Sequence, residues 1–342
     1  MSEAVDQAAG AARPPKLLGL ANLIWCAALG AAAVVAIGVA CSFVGAAQTT
    51  WSIWTLRISR LVTTALVGAA LAASGMALQG LLRNPLAEPY ILGISSGAGV
   101  GVLFGMATVG WGWHVLPWGA TTPALAFAGA LLTCLVVYGI AQRRGRLDPY
   151  NLILSGVIVN IFNAALMLTI YLFIDPYVLS DFAQWSMGQF PEAVDSRLLA
   201  ICGPCVLVGW AGLLLSGASL NALGLGDEVA ASSGVAVHAL RIRTFVLVGV
   251  VTAAAVALSG PIGFVGLIVP HICRMIFGPD HRRLLILSGF AGAGFLMAAD
   301  TLCRWGGPLI GVQKVPVGIL TALCGGPFFI YLLRRKFSET PL

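Results

Sequence analysis

Charge is what this sequence lacks. Of its 342 residues only 9% are Asp, Glu, Lys or Arg, against about a quarter in a water-soluble globule. That scarcity excludes a cytosolic enzyme, a secreted module and a disordered chain. Lysine is nearly missing. Lys16, Lys314 and Lys336 are the whole set, preceded by Pro15, Gln313 and Arg335, so no Gly-Lys pair exists to cradle phosphates and ATP hydrolysis within this chain is excluded. The four histidines, His114, His238, His271 and His281, stand far apart in sequence. None pairs with another at helical ligand spacing, and no metal site is expected. Acids inside apolar runs are scarcer still: Asp300 is the one clear case, with Arg304 a turn later as an i,i+4 partner. A carrier driven by protons or sodium wants carboxylates at mid-depth, so the power for any transport is expected from elsewhere.

What is present is apolar: 59% of the residues, at a mean hydropathy of +0.94. A bilayer core takes about 20 helical residues per crossing, and the sequence expectation is an all-α membrane protein of about ten spans. Runs bounded by charge, Pro or turn residues fall at 17 to 45, 61 to 82, 90 to 108, 120 to 141, 150 to 174, 197 to 217, 240 to 260, 262 to 277, 284 to 302 and 315 to 333. The eighth is short, follows Pro261 and carries Pro270 and His271, which reads as a broken or partly inserted helix. The membrane unit is placed at 17 to 335, with an amino-terminal tail over 1 to 16, a carboxy-terminal tail over 336 to 342 and a long polar loop over 218 to 239.

The formal charge of +6 sits in small arginine clusters beside apolar runs and reads as a topology signal, not as a nucleic-acid surface. With both termini cytoplasmic, only Arg57, Arg60, Arg197, Arg304 and Lys314 fall outside, as the positive-inside rule requires. Trp51, Trp54, Trp111, Trp113, Trp118, Trp185 and Trp305 then lie near the outer interface, where indoles anchor helices. The first apolar run is too long for a signal peptide, so the amino terminus is expected to be retained. Eight cysteines are scattered through apolar runs as small packed side chains. Cys202-Gly203-Pro204-Cys205 has redox spacing, yet no βαβ pattern surrounds it.

Gly93, Gly97, Gly101 and Gly105 recur every four residues on the third span, a smooth stripe for a neighbouring helix. Leu66-Val67-Gly68, Ser74-Gly75, Gly80 and Pro85 find echoes in Leu247-Val248-Gly249, Ser259-Gly260, Gly266 and Pro270. Spans two to five and seven to ten then form an inverted repeat, a transporter hallmark. On span five, Asn160 and Asn163 share a face, with Ser155 nearby. They serve either as glue between helices or as the lining of a wet pathway. The 218 to 239 loop reads as two short helices, Asp227 capping the second, Glu228 in its first turn and Gly234 ending it. It is either a docking knob for a cytoplasmic partner or a plain linker.

Long blocks carry a resemblance: Arg57-Ile58-Ser59-Arg60 leading into LVGAALAASGMALQGLLRNPLAEPYILGISSGAGVG (66 to 101), LNALGLGDEVAASSGV (220 to 235), SGPIGFVGLIVPHICRMIFGPDHRRLL (259 to 285) and VPVGILTALCGGPFFIYLLRR (315 to 335). Through them the chain resembles the FecCD-type permeases of bacterial ATP-binding-cassette importers for iron siderophores, haem and cobalamin. The resemblance implies a homodimer in the bacterial inner membrane, with two cytoplasmic ATPase subunits that use ATP and magnesium and a periplasmic solute-binding protein. It implies no cofactor and no catalytic residue in this chain, a lipid setting and no nucleic-acid partner. It also implies roles by position: Arg57, Arg60 and Arg304 dock the binding protein, and Gly226, Asp227, Glu228 and Gly234 shape the element that couples to the ATPase. By the same match Asn84 and Leu86 form the inner gate, with Pro149 and Tyr150 at a second loop, where cobalamin members carry small hydroxyl residues instead. Two other classes stay in view: an ion-coupled carrier working without an ATPase, and a membrane redox enzyme using Cys202 and Cys205.

Overall fold

The protein is described by a computed structural model covering residues 19–44, 51–110, 121–143, 146–309, 311–312 and 315–338. Among these residues it is helical almost throughout. In chain order the helices are α1 (Leu20–Phe43), α2 (Trp51–Leu82), α3 (Ile94–Gly110), α4 (Thr121–Ala141), α5 (Pro149–Tyr171), α6 (Pro176–Ser186), α7 (Ser196–Gly224), α8 (Asp227–Ser232), α9 (Val237–Ser259), α10 (Val265–Phe277), α11 (His281–Leu309) and α12 (Val317–Ser338). A 3-10 turn (Pro89–Leu92) precedes α3, and a two-residue hairpin, β1 (Gln142–Arg143) with antiparallel β2 (Arg146–Leu147), links α4 to α5.

Every one of the ten expected spans has its helix. Eight are long and apolar enough to cross a bilayer, and α3 and α10 are shorter apolar helices. The chain is therefore a multi-pass membrane protein. Helix is the form such segments take, because in hydrocarbon each backbone N–H and C=O must find its partner within the segment. Differences concentrate at the ends. The second span begins ten residues earlier than hydropathy places it, at Trp51, and α6 falls on a stretch that held no expected helix. Asp175 caps α6 from the Tyr177 N–H at 2.9 Å. Of the expected interfacial tryptophans, Trp51 and Trp54 open α2, Trp185 lies on α6 and Trp305 near the end of α11; Trp111, Trp113 and Trp118 lie outside the described residues.

Two helices form the centre. The apolar windows of α2 and α9 are 83% and 72% buried, while α1 is 6% buried and faces outward. Close approach is bought with glycine: Gly68 lies against Gly292 of α11, and Gly75 against Gly266 of α10, backbone to backbone with no space for a Cβ. The glycine stripe works the same way: Gly97, Gly101 and Gly105 of α3 pack on Leu125, Gly129 and Thr133 of α4. Gly93 has left the helix and stands before it at φ 81°.

Packing between the halves is exchanged. α2 packs on α10 and α11, the second and third elements of the later half, while α9 packs on α3 and α4 of the earlier half. In each half the helix after the central one starts from a left-handed residue, Gly93 before α3 and Phe264 before α10. Phe264 also sets off the short eighth span at the point where the sequence shows a break.

Candidate functional site

The long polar loop resolves into one short helix, not two. Leu220 and Leu223 are fully buried, and this apolar pair carries α7 on through Gly224. Gly226, at φ 129°, turns the chain, and α8 follows. Gly226 is also the residue before the first turn, so Asp227 does not cap α8. Its carboxylate is engaged elsewhere. Arg241 of α9 donates Nη2 to both Asp227 oxygens at 3.0 and 2.8 Å, and the Arg83 guanidinium donates to Oδ1 as well. Glu228 and Val229 are exposed beside it, with Ala230 the buried residue of α8. Gly234, at φ 82°, closes the element as expected. A recess of about 350 Å³ opens here, lined among others by Arg146, Asp227, Glu228, His238 and Arg241.

Both loops expected to gate lie at this end. Arg83 occupies the left-handed position just past α2, at φ 49°, where Gly is the usual choice. The Asn84 N–H donates back to the Gln79 carbonyl at 3.1 Å. Asn84 Oδ1 then accepts from the Leu86 N–H at 3.1 Å, a turn built by the side chain itself. In the second loop Asp148 caps α5, accepting from the Asn151 N–H at 2.9 Å, with Pro149 in the first helical position. Tyr150 is exposed. Arg241 Nη1 reaches the Leu147 carbonyl of the hairpin at 3.4 Å. Asn84, Leu86, Asp227 and the strand before Pro149 and Tyr150 are thus brought to one end of the molecule.

Deeper, the connection from α2 to α3 interlocks with the chain before α10. Glu88 accepts the Phe264 N–H, Tyr90 Oη accepts from the Ile262 N–H at 2.9 Å, and Gln79 takes Arg274 Nη2 at 2.8 Å while donating to the Gly266 carbonyl at 3.2 Å. Burial pushes the Glu88 carboxyl from its ordinary 4.5 up to about 7, and the hydrogen bond from Phe264 offsets part of that rise. Sequence reading missed Glu88. Set between Pro85 and Pro89 in a polar stretch, it reads as a solvated loop residue.

The three arginines expected to dock a partner, Arg57, Arg60 and Arg304, gather at the far end of α2. About 23 residues separate Arg60 from Arg83, some 35 Å of helix at about 1.5 Å per residue. They are not alike. Arg60 is 7% exposed and grips Asp300 with two parallel bonds, Nε to Oδ2 at 2.9 Å and Nη2 to Oδ1 at 2.7 Å. Arg304 lies 3.3 Å from the same carboxylate, the spacing-derived pair, and its Nη2 donates to Thr301 Oγ1 at 3.3 Å. Arg57 Nη1 donates to the Ser42 carbonyl at 3.1 Å. Arg57 and Arg304 remain part-exposed.

The span-five amides are committed within the chain. Asn160 Oδ1 accepts from Ser96 Oγ at 2.7 Å and its Nδ2 lies 3.3 Å from the Tyr90 carbonyl. Asn163, buried, donates to Ser96 Oγ at 3.0 Å and Thr133 Oγ1 at 3.3 Å. These bonds join α5 to α3 and α4. Ser155 is buried as well. An apolar recess of about 740 Å³ lies between these helices, with Thr133 and Asn163 among its few polar groups. Cys202 and Cys205 sit within α7 as free thiols.

Comparison with known proteins follows the same outline. The FecCD transport family matches residues 17–335. The cobalamin import system permease protein of Halobacterium salinarum is 42% identical over 82% of this chain and 73% of its own. The hemin transport system permease protein of Yersinia pestis is 38% identical over 84% and 85%, and an iron chelatin transport system permease of Helicobacter pylori 36% identical over 82% and 81%. Among solved structures, an inward-facing conformation of a metal-chelate type ABC transporter superposes with a TM-score of 0.79 at 29% identity, over 91% of this chain and 99% of that one.

Proposed function

This chain belongs to the FecCD transport family and is the permease subunit of an ATP-binding-cassette importer, and from that premise we propose that it carries a bulky metal chelate inward as half of a homodimer. A ferric siderophore is the first candidate cargo, with haem and cobalamin behind it; the relatives carry cobalamin, hemin and iron chelatin in their names. Two separate ATPase subunits, using ATP and magnesium, drive closure from the α8 end. A solute-binding protein delivers cargo at the Arg57 and Arg304 end. The setting is the bacterial inner membrane with both termini in the cytoplasm, which agrees with the arginine bias of the loops.

The observation that supports this division of labour best is the polarity of the molecule. One end offers part-exposed arginines, suited to reversible charge-assisted contact with acidic side chains on a soluble partner. The other offers a protruding short helix tied to both candidate gate loops. The sequence carries no Gly-Lys pair to cradle phosphates, and the work is assigned to partners. Asn84 and Leu86 on one loop, and Pro149 and Tyr150 on the other, close the inner mouth. Retention of radiolabelled ferric siderophore, haem or cobalamin by the companion binding protein, followed by ATP-driven uptake of the retained ligand, tests the cargo. Uptake limited to a compound outside these three would overturn the assignment.

A further inference from the structure

Among the described residues, the hydrogen bonds and ion pairs that leave α8 by a side chain all start at Asp227. They lead to two places. One is Arg83, the first residue past α2, which opens the loop bearing Asn84 and Leu86. The other is Arg241, which holds Asp227 with one nitrogen and the Leu147 carbonyl of the hairpin before Pro149 with another. A single carboxylate therefore stands between the short helix and both loops. We propose that Asp227 is the positioning residue through which displacement of α8 reaches the two gate loops, by way of Arg83 and Arg241, while its exposed neighbours Glu228 and Val229 meet the ATPase. The proposal rests on the permease reading and refines it.

Three physical features favour transmission over incidental surface pairing. First, the Arg241 guanidinium is held at two of its nitrogens, Nη2 by both oxygens of the Asp227 carboxylate and Nη1 by the Leu147 carbonyl, so its orientation is fixed between helix and hairpin, and the Arg241 side chain is 14% exposed. An isolated exposed pair is worth little, but here one partner is largely withdrawn from water. Second, Arg83 has a left-handed backbone, an uncommon state for a residue with a Cβ. A glycine would suit that position better, so the side chain is what the position gains from arginine. Third, α8 is six residues long, under two turns, with a single buried residue, too small to drag two loops by packing alone.

The backbone at Arg83 provides the clean test. Arg83→Gly keeps the left-handed turn without strain and removes the charge, so loss of fold does not confuse the result. In proteoliposomes holding the complete importer, cargo moved per ATP hydrolysed is expected to fall about tenfold for Arg83→Gly and for Asp227→Asn, within the range of ordinary coupling between sites. Asp227→Glu, which keeps the charge, is expected to recover most of it. An unchanged ratio in Arg83→Gly, or equal loss in Asp227→Glu and Asp227→Asn, overturns the proposal while leaving the permease reading standing. Loss of ATPase co-purification in Asp227→Asn also overturns it, because Asp227 would then be a docking residue. A wild-type assembly that moves no cargo with ATP removes the permease reading, and the proposal with it.

Discussion

Arg60 and Asp300, 240 residues apart, close a buried two-pronged ion pair that fastens the amino-terminal part of α2 to α11. Asp300 is shared with Arg304 at 3.3 Å, so one carboxylate balances two guanidinium groups. Removing one member of a buried pair strands the other charge, a loss of about 3 kcal/mol or more. Asp300→Asn is therefore expected to lower the thermal midpoint of the detergent-purified chain by several degrees. An unchanged midpoint would remove the pair as a fastening.

The same geometry separates the three rim arginines. Arg57→Glu together with Arg304→Glu is expected to abolish stimulation of ATP hydrolysis by the binding protein while ATPase subunits still co-purify. Arg60→Ala is expected to lower thermal stability first. Stimulation surviving the double reversal would take docking away from these residues.

Gly75 and Gly266 bring α2 and α10 into backbone contact. A methyl group there forces the helices apart, and Gly75→Ala is expected to cost about 1 to 3 kcal/mol. Gly139→Ala of α4, with nothing near its Cβ position, is the matched control and leaves the melting curve in place.

Glu88 gives the α2 to α3 connection a pH dependence. Its carboxyl is raised by burial to about 7, so the folded connection prefers the proton. The stability it contributes is complete below the unfolded value of 4.5 and is lost as pH rises through about 7. Hydrogen exchange of the 83 to 92 backbone is expected to be slower at pH 5 than at pH 8 after correction for intrinsic rates. Glu88→Gln, which keeps an acceptor for the Phe264 N–H, flattens that difference; a persistent difference would assign it to another group.

The spans were legible because hydropathy over about 20 residues is a strong local signal, and the family blocks add to it. What depends on distant partners was not. Spacing pairs Asp300 with Arg304, four residues on, yet its better partner is Arg60, which no spacing rule connects to it. Asp227 looked like a helix cap because acids favour first turns; Arg83 and Arg241 claim it only once α2 and α9 stand side by side. Helix α6 escaped notice because it is short and carries Asp181 among its apolar residues. Asn160 and Asn163 form one polar face by spacing, but their partners Ser96 and Thr133 lie on other helices and no local rule points to them.

Uptake of a labelled chelate into sealed proteoliposomes, with the chain alone under an ion gradient and with the chain joined by its ATPase and binding protein, decides whether this polypeptide is a passive conduit. Accumulation is expected only in the complete assembly and only with ATP. Gradient-driven accumulation by the chain alone would contradict it.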